Sequence, residues 1–139
     1  MSEVLATIHV DGIKEMNKAL KAVDKTAPTA SRLALNSVAG FVIDKALPDV
    51  PTRTGAARRS WKAKSTRTSS RITYGGRGAE YMPWLDFGGR TGKKKSVKRD
   101  FIKEGRYLFP TVRKYRAEIA GFAEGSLKKV AQNAGLDVD

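Results

Sequence analysis

The first half of the chain carries hydrophobic patterns that predict a strand and two helices. Residues 5–10 alternate and are rich in branched side chains, which predicts a short strand closed by the turn Asp11-Gly12. Apolar residues then recur every three or four positions over residues 13–23, as in an amphipathic helix. Residues 28–47 form a longer stretch that is apolar around much of its circumference until two prolines stop it. We expect this second helix to be the centre of the core.

The second half begins with a period of two and returns to a helical period. Residues 61–66 and 71–74 alternate, which predicts a hairpin with one basic face, and Trp61 and Tyr74 lie on the opposite, core-facing side. From Tyr107 the apolar residues again follow one helical face to the end of a long C-terminal helix. The predicted fold is α+β: a small antiparallel sheet packed against two N-terminal helices and one long C-terminal helix, in a single domain over residues 1–139.

Charge is concentrated in the middle of the chain. Residues 51–99 hold fourteen Lys/Arg and two Asp/Glu, whereas the segments on either side are nearly balanced. A charge confined to one segment makes a directional field that attracts a polyanion or an acidic partner. Within it, residues 88–98 contain three glycines and five basic residues with one apolar side chain, Val97. Such a segment buries too little surface to order itself, which predicts a basic mobile loop at about 88–104.

Candidate catalytic and cofactor chemistry is sparse. The chain has no cysteine and one histidine, which excludes disulfides, thiolate metal sites and imidazole clusters. Residues 88–94 superficially suggest a phosphate-binding loop, but Phe87 stands where the first glycine is needed and Lys94 where a Ser or Thr is needed. The only acids of the central segment, Glu80 and Asp86, form no visible acid/base pair. We predict no enzyme activity, no cofactor and no metal.

The basic residues divide into two groups. The lysines of the first helix fit an ordinary solvated face, whereas those of the predicted loop repel one another unless an anionic surface lies near. We therefore predict a partner- or DNA-facing basic loop formed by Arg90, Lys93, Lys94, Lys95, Lys98 and Arg99. Aromatic residues beside the arginines could stack on bases, but the alternation of Trp61 and Tyr74 favours core packing. Subunit interfaces use the same residue types.

Four segments, in order, resemble the tail-completion or head-to-tail joining family of long-tailed bacteriophages. Residues 50–61 (VPTRTGAARRSW) resemble that family's PxxTGxLxxS segment, and residues 81–88 (YMPWLDFG) its YAxxxExG segment. Residues 107–112 (YLFPTV) resemble the FLxPA segment that opens its last helix, and residues 10–16 (VDGIKEM) its usual start. Ala57 replaces the usual leucine, Asp86 replaces the usual glutamate, and the loop from Gly89 to Lys103 is longer and more basic than expected.

The resemblance implies a structural protein of the virion, at the tail or neck, assembled in the host cytoplasm. It implies self-association into a ring, expected to be a hexamer, between a head connector or stopper protein and a tail terminator or tail tube protein. The genome would pass through the lumen, with non-specific DNA contact possible and no membrane contact. The matched residues that are candidate subunit contacts are Pro51, Thr54, Gly55, Arg58, Arg59, Trp61, Tyr81, Trp84, Asp86 and Gly88.

Roles follow for a few of the matched positions. Gly55 would supply a backbone conformation closed to other residues at the turn into the hairpin. Pro110 would lie near the first turn of the last helix, and Asp86 would cap a backbone or pair with an arginine. The alternative from another class is a monomeric basic nucleic-acid-binding protein that holds RNA or single-stranded DNA with the hairpin and the glycine-arginine segment.

Overall fold

The computed structural model describes residues 3–23, 25–26, 28–52 and 55–136, and it has the predicted α+β architecture. The elements in chain order are β1 (Glu3–His9), α1 (Ile13–Val23), α2 (Pro28–Ala46), α3 (Ala56–Arg59), β2 (Lys62–Ala63), β3 (Ser69–Gly75), α4 (Met82–Phe87), β4 (Gly89–Thr91), β5 (Val97–Arg99), α5 (Leu108–Lys114) and α6 (Arg116–Asn133). None of the helices in this part of the chain has the length and apolar content that a membrane crossing requires.

Helix α2 is the centre of the core, as the sequence predicts. It contacts the sheet through β2 and β3, and it contacts α1, α5 and α6 as well. Its buried side chains include Leu35, Val38 and Val42, none of which has measurable exposure. Because apolar residues surround most of its circumference, the helix can be covered from several sides at once. The hydroxyl of Ser70 on β3 donates to the carbonyl of Leu35 at 2.8 Å and ties the sheet to the helix.

The main sheet has three antiparallel strands in the order β1-β3-β2. The predicted hairpin is β2 with β3, in the register Ala63 opposite Ile72. Trp61 packs edge-on against Tyr74 with ring centroids 4.8 Å apart, and both side chains are buried as predicted. Strand β1 pairs with β3 along its whole length and forms one edge of the sheet. Tyr74 on the central strand β3 is therefore the ring on which Trp61 packs in the core.

The C-terminal helix differs in two details from the prediction. It is broken at Tyr115, where φ is −103° and ψ is 21°, and α6 begins there with the bond from the amide of Ile119 to the carbonyl of Tyr115 at 2.8 Å. Its buried face uses small residues, with Ala123 and Ala131 in the same row as Ile119 and Leu127. Phe122 lies at the edge of this face, 38% exposed, and stacks on Phe41 of α2.

The predicted mobile loop at 88–104 is corrected: residues 89–99 form a two-stranded antiparallel hairpin. Strands β4 and β5 pair with Arg90 opposite Lys98, and a short 3-10 turn over residues 93–95 joins them. The segment has few apolar side chains to bury, and its order comes instead from backbone pairing and from bonds to the body of the domain. We call residues 89–99 the basic hairpin.

The hairpin begins at a glycine that no other residue can replace without strain. Gly88 has φ 87° and ψ −161°, a region open essentially to glycine alone. A Cβ at this position would lie 2.0 Å from the carbonyl oxygen of Asp100 on the returning chain. The chain therefore leaves α4 and enters β4 through a contact that requires the absence of a side chain.

We expect Gly88→Ala to lower the free energy of unfolding by at least about 2 kcal/mol, because strain and a backbone clash add together. Gly121→Ala is the matched control. Gly121 lies in α6 with nothing within 4 Å of an added Cβ, so alanine should stabilise the helix by roughly 0.5–1 kcal/mol. Urea unfolding of both variants measures the two changes, and equal effects would contradict the described geometry at Gly88.

Candidate functional site

Asp86 forms a buried hydrogen-bond cluster with Tyr74, Arg106 and Tyr107, which we call the Asp86 cluster. The Asp86 side chain is fully buried at the end of α4. Its Oδ1 accepts from the backbone amides of Arg106 and Tyr107 at 2.7 and 2.8 Å, and its Oδ2 accepts from the hydroxyl of Tyr74. A buried carboxylate is costly unless it is satisfied, and these three donors satisfy it. The prediction that Asp86 caps a backbone agrees with this geometry.

The electrostatics of the cluster are visible at Tyr74. Burial raises the pKa of its hydroxyl far above the usual value near 10, and the hydrogen bond to Asp86 and the charge of that carboxylate act in the same direction. The phenol therefore stays protonated and donates to Asp86 throughout the physiological range. Gly105, which is buried with φ 79°, comes so close that an added Cβ would lie 2.8 Å from Oδ1 of Asp86. The cluster is closed, and its polar groups are used within the fold.

The same cluster fixes the base of the basic hairpin. The guanidinium of Arg106 donates to the carbonyl of Asp86 at 3.1 Å and to the carbonyl of Asp100, just beyond β5. The amide of Ile102 donates to the carbonyl of Phe87 at 2.7 Å. Both ends of the hairpin are therefore bonded to the segment that contains Asp86. Because the base of the hairpin is fixed, its tip has a defined orientation before any partner binds.

Among the predicted loop cations, Arg99 has a different role from the others. Its guanidinium carbon lies 5.7 Å from the centre of the Trp84 ring, and its Nη2 donates to the Tyr107 hydroxyl at 3.1 Å. Trp84 in turn donates from Nε1 to the carbonyl of Gly89 at 3.0 Å. Arg99 and Trp84 thus attach the hairpin to the body of the protein. The prediction that Arg99 faces a partner is corrected, because its guanidinium contacts the Trp84 ring and the Tyr107 hydroxyl, while its buried Nε has no hydrogen-bond partner among the described residues.

The remaining cations lie at the outer part of the hairpin. Arg90, Lys94, Lys95 and Lys98 are exposed, and Lys93 belongs to the same turn. No acidic residue occurs from residue 87 to residue 99. Lys94 and Lys95 both have positive φ, 56° and 54°, which side chains other than glycine and asparagine seldom adopt. The structure therefore brings together four of the predicted DNA- or partner-facing residues on one projecting ribbon.

The candidate subunit contacts are dispersed by the fold. Trp61 and Asp86 are buried inside the chain, so their predicted role as subunit contacts is corrected to a role in packing and hydrogen bonding. Gly55, Arg58, Trp84 and Gly88 are half-buried, and Pro51, Arg59 and Tyr81 are exposed. Thr54 lies outside the described residues. Gly55 has the predicted left-handed backbone, φ 80°, immediately before α3.

Arg58 has an internal function that its sequence position did not reveal. Its Nε donates to the carbonyl of Val50 at 2.9 Å, and its Nη2 donates to the carbonyl of Pro48 at 3.3 Å. These carbonyls follow the end of α2, where helical partners are no longer present.

Trp61 and Tyr74 are both buried, so their rings are not available for stacking on bases. This weakens the alternative of a protein that binds single-stranded nucleic acid.

A groove that the sequence analysis missed lies between β1 and α6. It encloses about 780 Å³. One wall comes from β1 and α1 and the other from α5 and α6, and its apolar lining includes Ile8, Val10, Ile13, Met16, Val112, Ile119, Ala123 and Leu127. The polar lining carries both signs of charge, with Asp11 and Glu124 against Arg113, Arg116 and Lys128. Short-range periodicity could not reveal the groove, because its walls are about a hundred residues apart in the chain.

Comparison with protein-family models, with curated proteins and with solved structures gave no match to this chain. In the part of the chain that the structure describes, no group of three or more His, Asp or Glu side chains is placed to hold a metal ion.

Replacing Tyr74 with phenylalanine should change how stability depends on alkaline pH. Above about pH 10 the unfolded chain releases the phenolic proton while the native chain retains it, so this group makes the native state less stable by up to about 1.4 kcal/mol per pH unit. Tyr74→Phe removes that dependence, and below pH 10 it costs about 1–3 kcal/mol by leaving Oδ2 of Asp86 without its donor. Denaturant unfolding at pH 8, 10 and 11 gives both numbers; a stability difference that stays constant from pH 8 to 11 would contradict the buried phenol.

Neighbouring cations of β5 should respond differently to neutralisation. Arg99→Gln removes the contact with the Trp84 ring and the bond to Tyr107, so we expect a loss of about 1–2 kcal/mol in unfolding free energy. Lys98→Gln is the matched control in the same strand, and because Lys98 is exposed we expect a change within about 0.5 kcal/mol. Thermal unfolding compares them, and an equal effect of the two changes would be inconsistent with the described packing of Arg99.

Proposed function

We propose that this protein is a structural subunit of a long-tailed bacteriophage virion that forms a ring at the head–tail junction. The ring, expected to be a hexamer, completes the tail and joins it to the head connector or stopper protein on one side and the tail terminator or tail tube on the other. The genome passes through its lumen. In this proposal the protein acts by contact and not by catalysis, in the neck of the virion after assembly in the host cytoplasm.

The observation that carries the proposal is the Asp86 cluster. Two of the four segments that resemble the tail-completion family, residues 81–88 and 107–112, are separated in sequence but meet through the hydrogen bond from the amide of Tyr107 to Asp86. A third, residues 50–61, ends at Trp61, which packs on Tyr74 of the same cluster. The segments that resemble the family therefore supply contacts that hold this fold together. The resemblance lies in how the chain folds.

Self-association is supported by the groove beside β1. Strand β1 is an edge of the sheet, and such an edge presents backbone groups that another chain can pair with. The groove next to it is mainly apolar, and its charged residues include both signs, which suits a second copy that carries both signs itself. A contact between the groove of one copy and a different surface of the next is heterologous, and repetition of such a contact forms a ring when the rotation between copies closes on itself.

The rival function, a monomeric nucleic-acid-binding protein, is favoured by one observation only, the exposed cations of the basic hairpin. Sedimentation and electron microscopy separate the two functions. The rival predicts a monomer under all conditions with a preference among bases, whereas the ring predicts discs or rings when neighbouring tail or connector proteins are supplied.

Filling the groove should block assembly. Ala120 is an exposed residue of α6 that lines the groove, and Ala117 is an exposed residue of the same helix outside the lining. In a phage deleted for this gene and complemented in trans, we expect Ala120→Trp to reduce joined, infectious particles by at least roughly tenfold, because a large side chain excludes the neighbouring copy. Electron microscopy should then show filled heads separate from tails.

Ala117→Trp is the matched control, with the same loss of helix propensity and the same added volume. It should restore particles to wild-type numbers. If the deleted phage produced wild-type numbers of joined particles without any complementing gene, a role at the head–tail junction would be refuted. Equal, full activity of both tryptophan variants would leave the junction role in place and exclude the groove as the contact.

A further inference from the structure

The outer part of the basic hairpin, residues 90–98, contains positive charges and no acidic residue. Arg90 and Lys98 are directly opposite one another in the register of β4 and β5, and both are exposed. Cross-strand neighbours have Cβ atoms only about 5 Å apart, and like charges in that position oppose strand pairing. The turn adds Lys94 and Lys95, while the nearest acids along the chain are Asp86, which is buried, and Asp100, which is exposed at the base of the hairpin. The ribbon is thus a cationic surface suited to an external anion.

This ribbon is also held in place before any partner arrives. Its base is bonded through Trp84 to Gly89, through Ile102 to Phe87, and through Arg106 to Asp100. Ordering a segment on binding costs conformational entropy, and a hairpin that is already ordered avoids most of that cost. Its cations therefore act as a set with a fixed spacing.

From the pairing of Arg90 with Lys98, the lysines of the turn and the fixed base, we propose that the basic hairpin binds the phosphate backbone of duplex DNA without sequence preference. The major groove of B-form DNA, about 12 Å wide, admits a two-stranded β-ribbon. The cations on the ribbon then lie near phosphates, and the hydroxyls of Thr91 and Ser96 are of the kind that commonly bond phosphate oxygens. Contacts of this kind position a protein on DNA but carry no sequence information.

An acidic protein surface is a poorer fit to the same residues. Protein interfaces are anchored by aromatic and aliphatic side chains, and lysine is depleted from them. From Arg90 to Lys98 the only large apolar side chain is Val97, which lies beside Gly92 of the same hairpin and is 48% exposed. The outer part of the ribbon therefore offers mainly charge and hydroxyls, with a single partly exposed valine and no aromatic side chain as an anchor.

Single-stranded nucleic acid is also disfavoured. Proteins that hold single strands combine cations with aromatic rings on which the bases stack. The hairpin itself contains no aromatic residue, the guanidinium of Arg99 lies over the ring of Trp84 at its base, and the one strongly exposed ring nearby, Phe101, lies beyond β5 and away from the cations of the turn in the chain. This inference rests on the proposed function only for the source of the duplex, which would be the genome in the lumen of the ring. Binding itself can be measured on the isolated chain.

The test compares two variants that each lose four positive charges. One replaces Arg90, Lys94, Lys95 and Lys98 with glutamine, and the other replaces Lys14, Lys18, Lys21 and Lys25, which are exposed on and just beyond α1. Fluorescence anisotropy with a labelled mixed-sequence 30-base-pair duplex gives affinity from 50 to 200 mM salt. We expect the hairpin variant to bind at least about tenfold more weakly at 100 mM salt, and its log K against log salt slope to be shallower by about 3 to 4. The α1 variant should change affinity less than about threefold.

A second variant of the hairpin tests whether weaker binding comes from lost charge or from an unfolded hairpin. Lys94→Gly with Lys95→Gly removes two charges and suits the positive φ of both positions, so the turn should persist and the slope should become shallower by about 2. Circular dichroism and thermal unfolding verify that each variant keeps its fold.

Three results would overturn the proposal. Equal weakening by the hairpin and α1 variants would assign binding to net charge alone. Binding of polyglutamate, at equal charge concentration, as tight as binding of the duplex would assign the hairpin to an acidic protein. Tighter binding of a 30-nucleotide single strand than of the duplex would assign it to the monomeric rival. Because binding is measured on the isolated chain, each of these results would overturn duplex binding by the hairpin and leave the proposed ring to its own test.

Discussion

The structure depends on one buried carboxylate. Asp86 is fully buried, and its two oxygens accept from the hydroxyl of Tyr74 and from the amides of Arg106 and Tyr107. The donors come from two parts of the fold: the central strand β3, and the consecutive residues that connect the basic hairpin to α5. Because a buried carboxylate without donors is strongly unfavourable, these parts cannot separate without a large cost. The core, the hairpin and the C-terminal helices are thereby fixed relative to one another.

Sequence patterns were sufficient where order comes from burial of side chains near one another in the chain. The apolar circumference of α2 and the alternation that places Trp61 and Tyr74 inside were both predicted, and so was the α+β class. The left-handed backbone of Gly55 was predicted as well, because the steric requirement is local. The capping role of Asp86 was foreseen, but its partners, 12, 20 and 21 residues away in the chain, were not.

The basic hairpin was not predicted, and the reason is physical. Its residues bury little, so a criterion based on apolar content indicated a loop. Order comes instead from pairing between β4 and β5 and from the bonds that Trp84 and Arg106 make to backbone carbonyls. Arg99 was grouped with the free cations for the same reason, since neighbouring cations of one charge run can have opposite environments. The groove beside β1 arises from elements at opposite ends of the chain, which no window of sequence contains.

The charge of the central segment therefore has two uses. Arg58 and Arg99 of this segment, together with Arg106 beyond it, stabilise the fold through carbonyls, a ring and a hydroxyl. Arg90, Lys94, Lys95 and Lys98 are exposed on a ribbon that the fold holds in place, where our proposals assign them to the genome.

Amide hydrogen exchange of the native protein at neutral pH tests this account most directly. If the Asp86 cluster orders the hairpin, the amides of Arg106, Tyr107 and Ile102 should be protected about as strongly as those of β3. Exchange of these amides at the rates of an unstructured peptide, while β3 stays protected, would contradict it.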